Sequence, residues 1–186
     1  MQAGIWWRMR ALLAVTGLAV SVAACSGPPK GMLNAYQGRI AATPNVKMLV
    51  ATTRSRRGVA PGELFGGDRG RGLSLSLSLS FADIHISIPP DSKCKIGEVQ
   101  WPSSLPGNPA TDCVTTSATL FDKDAALNVF HKRLKGTAHG SVLLFVHGYN
   151  TRFEEAVYRF AQMVHYSRTN AVPALFTWPS RGHLLV

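Results

Sequence analysis

The segment SVLLFVHGYN, residues 141–150, has the residue types and order that are best suited to a binding or catalytic site. An apolar run leads directly into His147 and Gly148, and Tyr149 and Asn150 follow. A strand that is apolar throughout is typical of a parallel sheet covered on both faces. In open parallel sheets ligands bind at the carboxyl ends of the strands, and a glycine there lets free N–H groups approach a developing negative charge. The corner is therefore a candidate oxyanion-binding loop.

The residues that follow the corner predict a βαβ unit. Thr151 and Glu154 have the spacing of a capping box, and apolar residues then recur at helical spacing, which predicts an amphipathic helix over 152–167. The segment AVPALFTW, residues 171–178, predicts another apolar strand. Strand, glycine corner, helix and strand in this order are typical of α/β folds.

Upstream of the corner the sequence predicts two strands and a helix. The segment NVKMLVATTR has the β-branched residues of a strand. Strict apolar/polar alternation over 73–88 predicts a strand with one buried face, and we interpret its Leu-Ser repeat as a dipeptide expansion that preserves the facing of each side chain. Residues 89–113 are rich in Pro and Gly and predict a surface connection. Asp122 is the predicted N-cap of a helix that runs to about Lys135 and stops at Gly136.

The amino terminus has the pattern of an export signal. Arg8 and Arg10 precede ALLAVTGLAVSVAA, an apolar run that is too short to span a bilayer comfortably. The tetrapeptide VAAC resembles the lipobox of bacterial lipoproteins, and the resemblance implies cleavage before Cys25 and lipid on its thiol. We therefore predict a signal peptide over 1–24, a tether over 25–45, and an envelope protein anchored through Cys25 to membrane lipid and facing the periplasm. A plain secretory signal and an uncleaved anchor are the alternatives.

The remaining cysteines, Cys94 and Cys113, leave two interpretations open. In an oxidising compartment they could form a disulfide that stabilises the fold by roughly 3 kcal/mol in the chain-entropy estimate, or they could be two unrelated buried thiols. Neither cysteine has metal-ligand spacing, and no histidine pair does, so we expect no metal and no cofactor.

Length and charge limit the function classes. A chain of 186 residues with 46% hydrophobic residues predicts one globular domain. The net charge of +10 comes from scattered groups such as RSRR and HKRLK, which solvated loops and helix ends explain. An anionic membrane surface would also attract them. Because no aromatic-interleaved basic patch is present, we expect no nucleic-acid partner.

The corner and its neighbours also carry a resemblance. The string VLLFVHGYNTRFEEAVYRFAQMVH followed by VPALFTWPSRG is similar to an uncharacterised bacterial branch of the α/β-hydrolase superfamily, a domain of unknown function often predicted to be esterase- or lipase-like. The resemblance implies an α/β fold with a mostly parallel sheet and flanking helices. It also implies that the Tyr149 amide donates to an oxyanion, that Gly148 keeps the turn open, and that His147 braces the loop rather than acting as a base. A packed histidine and a rim tyrosine are the structural alternatives.

The family also requires a Gly-x-Ser-x-Gly nucleophile elbow, and none of the 186 residues forms one. The serine of WPSRG lacks the first glycine. We therefore interpret 46–186 as a partial, truncated α/β-hydrolase domain, the amino-terminal portion of the fold, with no catalytic residue of its own. A complete relative would hydrolyse small esters by acyl transfer. Two alternatives remain, a non-enzymatic envelope lipoprotein that acts as a binding or structural module, and a binder of anionic surfaces.

Overall fold

The structure is a computed structural model that describes residues 28–40, 43–56, 62–70, 79–95 and 97–180. Its elements in chain order are β1 (Asn45–Thr52), β2 (Ser80–Ser87), a 3-10 turn (Asp91–Lys93), β3 (Val114–Phe121), α1 (Lys123–Lys135), β4 (Val142–Val146), α2 (Phe153–Ser167) and β5 (Val172–Thr177). The predicted signal peptide, Cys25 and most of the Leu-Ser repeat lie outside the described residues.

The strands form one sheet in the order β3-β2-β1-β5-β4. The pairs β1–β5 and β5–β4 are parallel, whereas β1–β2 and β2–β3 are antiparallel. Only β2 is therefore reversed among the described strands, and the other four share one direction. The predicted α/β class, with a mostly parallel sheet and flanking helices, is confirmed, and so is the βαβ unit of β4, α2 and β5. Strand β3 was not predicted, because its sequence VTTSATLF has little hydrophobic periodicity.

Helix α2 covers one face of the sheet and builds the core. Its apolar stripe contacts the inward residues of the strands, and the rings of Phe145 and Phe160 stack with centroids 5.3 Å apart. The helix begins one residue later than the predicted capping box requires. Arg152 is the N-cap, and its N–H donates to the Glu155 carboxylate at 3.3 Å. Thr151 therefore does not cap the helix, and Glu154 makes different contacts.

Those contacts hold residues 28–40 against the domain. The Glu154 carboxylate accepts hydrogen bonds from the N–H groups of Gly31 at 3.0 Å and Met32 at 3.3 Å. The Met32 carbonyl accepts from the Tyr158 hydroxyl at 2.9 Å, and both Met32 and Leu33 are buried in the core. This part of the predicted tether is a packed segment of the domain rather than a spacer.

Helix α1 lies on the other face, with the ends that the sequence predicted. The Asp122 carboxylate accepts from the Ala125 N–H at 2.7 Å, and Gly136 is the C-cap. The helix covers this face only in part. An apolar groove of about 380 Å³ remains between α1 and strands β4 and β5.

Strand β4 lies at an edge of the described sheet. Its inward residues Leu143 and Phe145 pack against the core, while Val142, Leu144 and Val146 are 41%, 61% and 51% exposed. Strand β4 therefore presents an apolar edge next to a partly uncovered sheet face. Exposed apolar edges of this kind promote self-association.

Candidate functional site

Three parallel strands bring the candidate site together. Strands β1, β5 and β4 are neighbours that run in one direction, so their carboxyl ends meet at one edge. Arg54 follows β1, Trp178 follows β5 and His147 follows β4. The Trp178 indole N–H donates to the His147 carbonyl at 3.0 Å, and the two aromatic rings stack with centroids 5.3 Å apart.

His147 is only 3% exposed, and its hydrogen bonds define its tautomer. Two donors, Arg54 Nη2 and the Trp178 N–H, lie 3.3 Å from its Nε2. Nε2 must therefore accept, and we assign the ring proton to Nδ1, which lies 2.8 Å from the Gly148 carbonyl oxygen. Burial lowers the pKa of His147 below the ordinary 6.5, and the positive charge of Arg54 lowers it further. The neutral ring therefore connects the ends of β1 and β5 to the corner after β4.

The buried neutral His147 leads to a pH prediction. Because its pKa is lowered in the native state, the unfolded chain binds more protons, and stability is lost as pH falls through about 6.5 towards the lowered value. The variant His147→Gln keeps an acceptor near the Nε2 position but does not titrate. We expect wild type to lose more unfolding free energy than His147→Gln between about pH 7.5 and about pH 5.5, by at most about 1.4 kcal/mol per pH unit, in urea titrations.

The exposed His139 supplies the control for this measurement. His139→Gln makes the same substitution at an exposed position outside the corner, and its unfolding free energy is compared with that of wild type at each pH. Equal losses in wild type and His147→Gln would contradict a lowered pKa at His147.

Arg54 is the largest fully buried side chain among the described residues, at 1% exposure. Its Nη1 donates to the carbonyls of Gly66 at 3.0 Å and Ser180 at 2.8 Å, and its Nη2 donates to the Thr151 carbonyl at 2.8 Å. Burial lowers its pKa to about 10, so the group is still protonated at neutral pH. None of the described residues that it hydrogen-bonds is a carboxylate. The corner therefore contains a desolvated positive charge.

The backbone after His147 turns outward. Asn150 adopts a left-handed conformation with φ 60°, which asparagine tolerates better than most residues. The Thr151 N–H donates to the Ser180 hydroxyl at 2.9 Å, which ties the loop to the end of β5. Among the described residues the Tyr149 N–H has no hydrogen-bond partner, and the Tyr149 side chain is 66% exposed. The corner therefore presents a main-chain donor that is unpaired within the described part of the chain.

Gly148 is not required by sterics in this structure. A Cβ built there meets no atom within 4 Å, and its backbone is outside the left-handed region. We therefore expect Gly148→Ala to fold normally, with an unfolding free energy within about 1 kcal/mol of wild type in urea denaturation. A loss of several kcal/mol in this variant would show that the corner is packed more tightly than the structure has it.

The structure thus places His147, Gly148 and Tyr149 at one corner and adds Ser180 and Arg54 to it. Ser180 is the serine of WPSRG, which the sequence raised only as a nucleophile that lacks its motif. Arg54 could not be placed there from the sequence, because its position depends on β1 pairing with a strand more than a hundred residues later.

The predicted cysteine pair lies away from this corner. Cys94 and Cys113 are free thiols here, and burial raises the pKa of Cys113 to about 12. The disulfide stays a prediction. Among the described residues no group of three or more His, Cys, Asp or Glu side chains is placed to hold a metal ion. In the same part of the chain no helix is long and apolar enough to cross a membrane.

Comparison with known proteins gives one match. A family described as alpha/beta hydrolase of unknown function (DUF900) matches residues 122–186. The matched part runs from the N-cap of α1 through β4, the corner, α2 and β5, and it excludes β1, β2 and β3. Neither the curated proteins nor the solved structures gave a match. The match supports an α/β-hydrolase-like domain of unknown function, which agrees with the fold.

Proposed function

We propose that this chain carries the oxyanion-binding part of an esterase- or lipase-like α/β-hydrolase site and is inactive alone. The observation that carries the proposal is the Tyr149 N–H at the carboxyl end of β4, which has no partner among the described residues and lies in a loop whose two ends contact Arg54. A fixed N–H donor stabilises the negative charge that forms on the carbonyl oxygen of an ester during acyl transfer. The family match over residues 122–186 includes this corner.

Binding of a tetrahedral anion tests the corner without any need for turnover. We expect phenylphosphonate to shift the amide NMR signals of Gly148, Tyr149 and Asn150 in a saturable way. Tyr149→Ala keeps the main-chain N–H and should retain the shifts at the neighbouring residues. Tyr149→Pro lacks that N–H and should lose them. Equal responses of the two variants would rule out the Tyr149 amide as the donor.

The absence of a nucleophile is tested separately. Because no serine of the 186 residues stands in a Gly-x-Ser-x-Gly elbow, we expect a fluorophosphonate probe to leave the chain unlabelled and p-nitrophenyl esters to be hydrolysed at the uncatalysed rate. Labelling of any serine would show that the site is complete in a way the motif does not reveal. A binding or structural module would also stay unlabelled, but its Tyr149 amide would not respond to phenylphosphonate.

The same proposal includes a lipid anchor at Cys25. The resemblance of VAAC to a lipobox supports it, and the packed segment adds a geometric consequence. The Pro28 carbonyl accepts a hydrogen bond from Arg152, so Cys25 is three Cα–Cα steps from a fixed point on the domain. Fully extended, they reach about 10 Å, which would hold the domain against the bilayer surface. Metabolic palmitate labelling that is lost in Cys25→Ala is the expected result, and unlabelled wild type would rule out the anchor.

A further inference from the structure

One side chain connects every segment that forms the corner. The four Nη hydrogens of Arg54 have four acceptors, the carbonyls of Gly66, Thr151 and Ser180 and the Nε2 of His147. These acceptors come from the loop after β1, the corner after β4 and the end of β5. A planar guanidinium has its donors in a rigid fork, so it fixes the relative positions of the groups that accept from it.

We propose that Arg54 is the positioning residue of the corner: its guanidinium sets the conformation of residues 147–151 and so aims the Tyr149 N–H. The importance of this role for catalysis rests on the proposed function, whereas the effect of Arg54 on the conformation of the loop does not. Arg54 does not touch the position of the free N–H. It acts through the two ends of the loop, at His147 Nε2 and at the Thr151 carbonyl.

Burial of the Arg54 guanidinium costs free energy, which its hydrogen bonds must offset. A cation at 1% exposure loses most of its hydration, and its Nε has no hydrogen-bond partner among the described residues. Lysine has three donors on a single nitrogen and could satisfy at most part of this acceptor set. An apolar side chain would fill the space but would leave the buried Ser180 carbonyl and the part-buried carbonyls of Gly66 and Thr151 without their donor. Only arginine matches both the number and the spread of the acceptors.

Two amides report on the corner by hydrogen exchange. The Thr151 N–H donates to the Ser180 hydroxyl and the Trp178 N–H donates to His147 Nε2, so both depend on the arrangement that Arg54 maintains. In the full chain in mild detergent, we expect Arg54→Met to speed exchange at both amides by about tenfold or more. Amides of the β1–β2 ladder should keep their wild-type rates. Arg56→Met, which removes an exposed arginine two residues away, is the matched control and should change neither set.

Arg54→Lys separates positioning from charge and replaces Arg54→Met if that variant is not recovered folded. It retains a cation but not the fork, so exchange at Thr151 and Trp178 should be intermediate between wild type and Arg54→Met. The nitrogen-15 chemical shift of His147 Nε2 provides a spectroscopic check, because loss of the Arg54 donor changes it. Unchanged exchange at both amides, or acceleration by the same factor throughout the sheet, would overturn the proposal.

The outcome for the proposed function is read from a different measurement. If the amide signals of wild type do not shift with phenylphosphonate while Arg54→Met still speeds hydrogen exchange at Thr151 and Trp178, the oxyanion proposal fails and the positioning role stands. If wild type responds and Arg54→Met leaves both the response and the exchange rates unchanged, the positioning role fails and the oxyanion proposal stands.

Discussion

Leu144→Lys is expected to increase the monomeric fraction of the 26–186 polypeptide several-fold. Leu144 is 61% exposed in an edge strand, between the outward-facing Val142 and Val146. Such an edge offers unpaired backbone groups and an apolar surface to a second chain, and a lysine on the edge is a common way in which natural sheets prevent this pairing. Size-exclusion chromatography with light scattering measures the monomer fraction. Because the side chain is outside the core, the variant should lose little stability.

The neighbouring residue supplies the matched control. Phe145 faces the core, where its ring stacks on that of Phe160, so Phe145→Lys introduces the same charge on the opposite side of the same strand. We expect this change to cost about 4 kcal/mol or more and to leave little folded protein. A soluble, monomeric wild-type 26–186 polypeptide with a cooperative thermal transition would contradict the expected self-association.

The parts of the fold that could be predicted are local in the sequence. Strand β4, helix α2 and strand β5 each have a clear period or apolar run, and the parallel connection between the two strands follows from the order of elements. The ends of α1 were correct because the capping residue Asp122 is adjacent to the helix it caps. The position of His147, Gly148 and Tyr149 at the end of β4 was predictable for the same reason, because the corner is continuous with that strand, and their role in binding an oxyanion stays a prediction.

The parts that could not be predicted depend on contacts between distant segments. Arg54, the first residue of RSRR, looks like an ordinary basic loop residue until β1 is placed next to β5. Residues 28–40 have the Pro and Gly content of a linker, and their packing becomes visible only when Glu154 and Tyr158 on α2 are seen to bind their backbone. The helix is capped by Arg152 and Glu155 rather than by Thr151 and Glu154, so Glu154 is available for that contact. Both pairs have the spacing between N-cap and N3, and sequence spacing alone does not distinguish them.

Glu154→Ala is expected to lower the free energy of unfolding by about 3 kcal/mol, because it leaves the buried N–H groups of Gly31 and Met32 without their acceptor. The side chain is 3% exposed, so water cannot replace it without opening the contact between residues 28–40 and α2. Urea denaturation followed by circular dichroism measures the change. Glu98→Ala is the control, since that carboxylate is largely exposed and its ion pair with Lys95 at 3.6 Å should contribute less than about 0.5 kcal/mol.

The pH dependence of Glu154→Gln tests whether the carboxylate itself is buried. Burial raises the pKa of Glu154 above the ordinary 4.5, so the native state keeps this proton to higher pH than the unfolded chain does. The stability linked to Glu154 is therefore complete below about pH 4.5 and declines as pH rises through the raised pKa. Since glutamine does not ionise, the deficit of Glu154→Gln relative to wild type should shrink from about pH 4 to about pH 7. A constant deficit over that range would mean that residues 28–40 do not bury this carboxylate in solution.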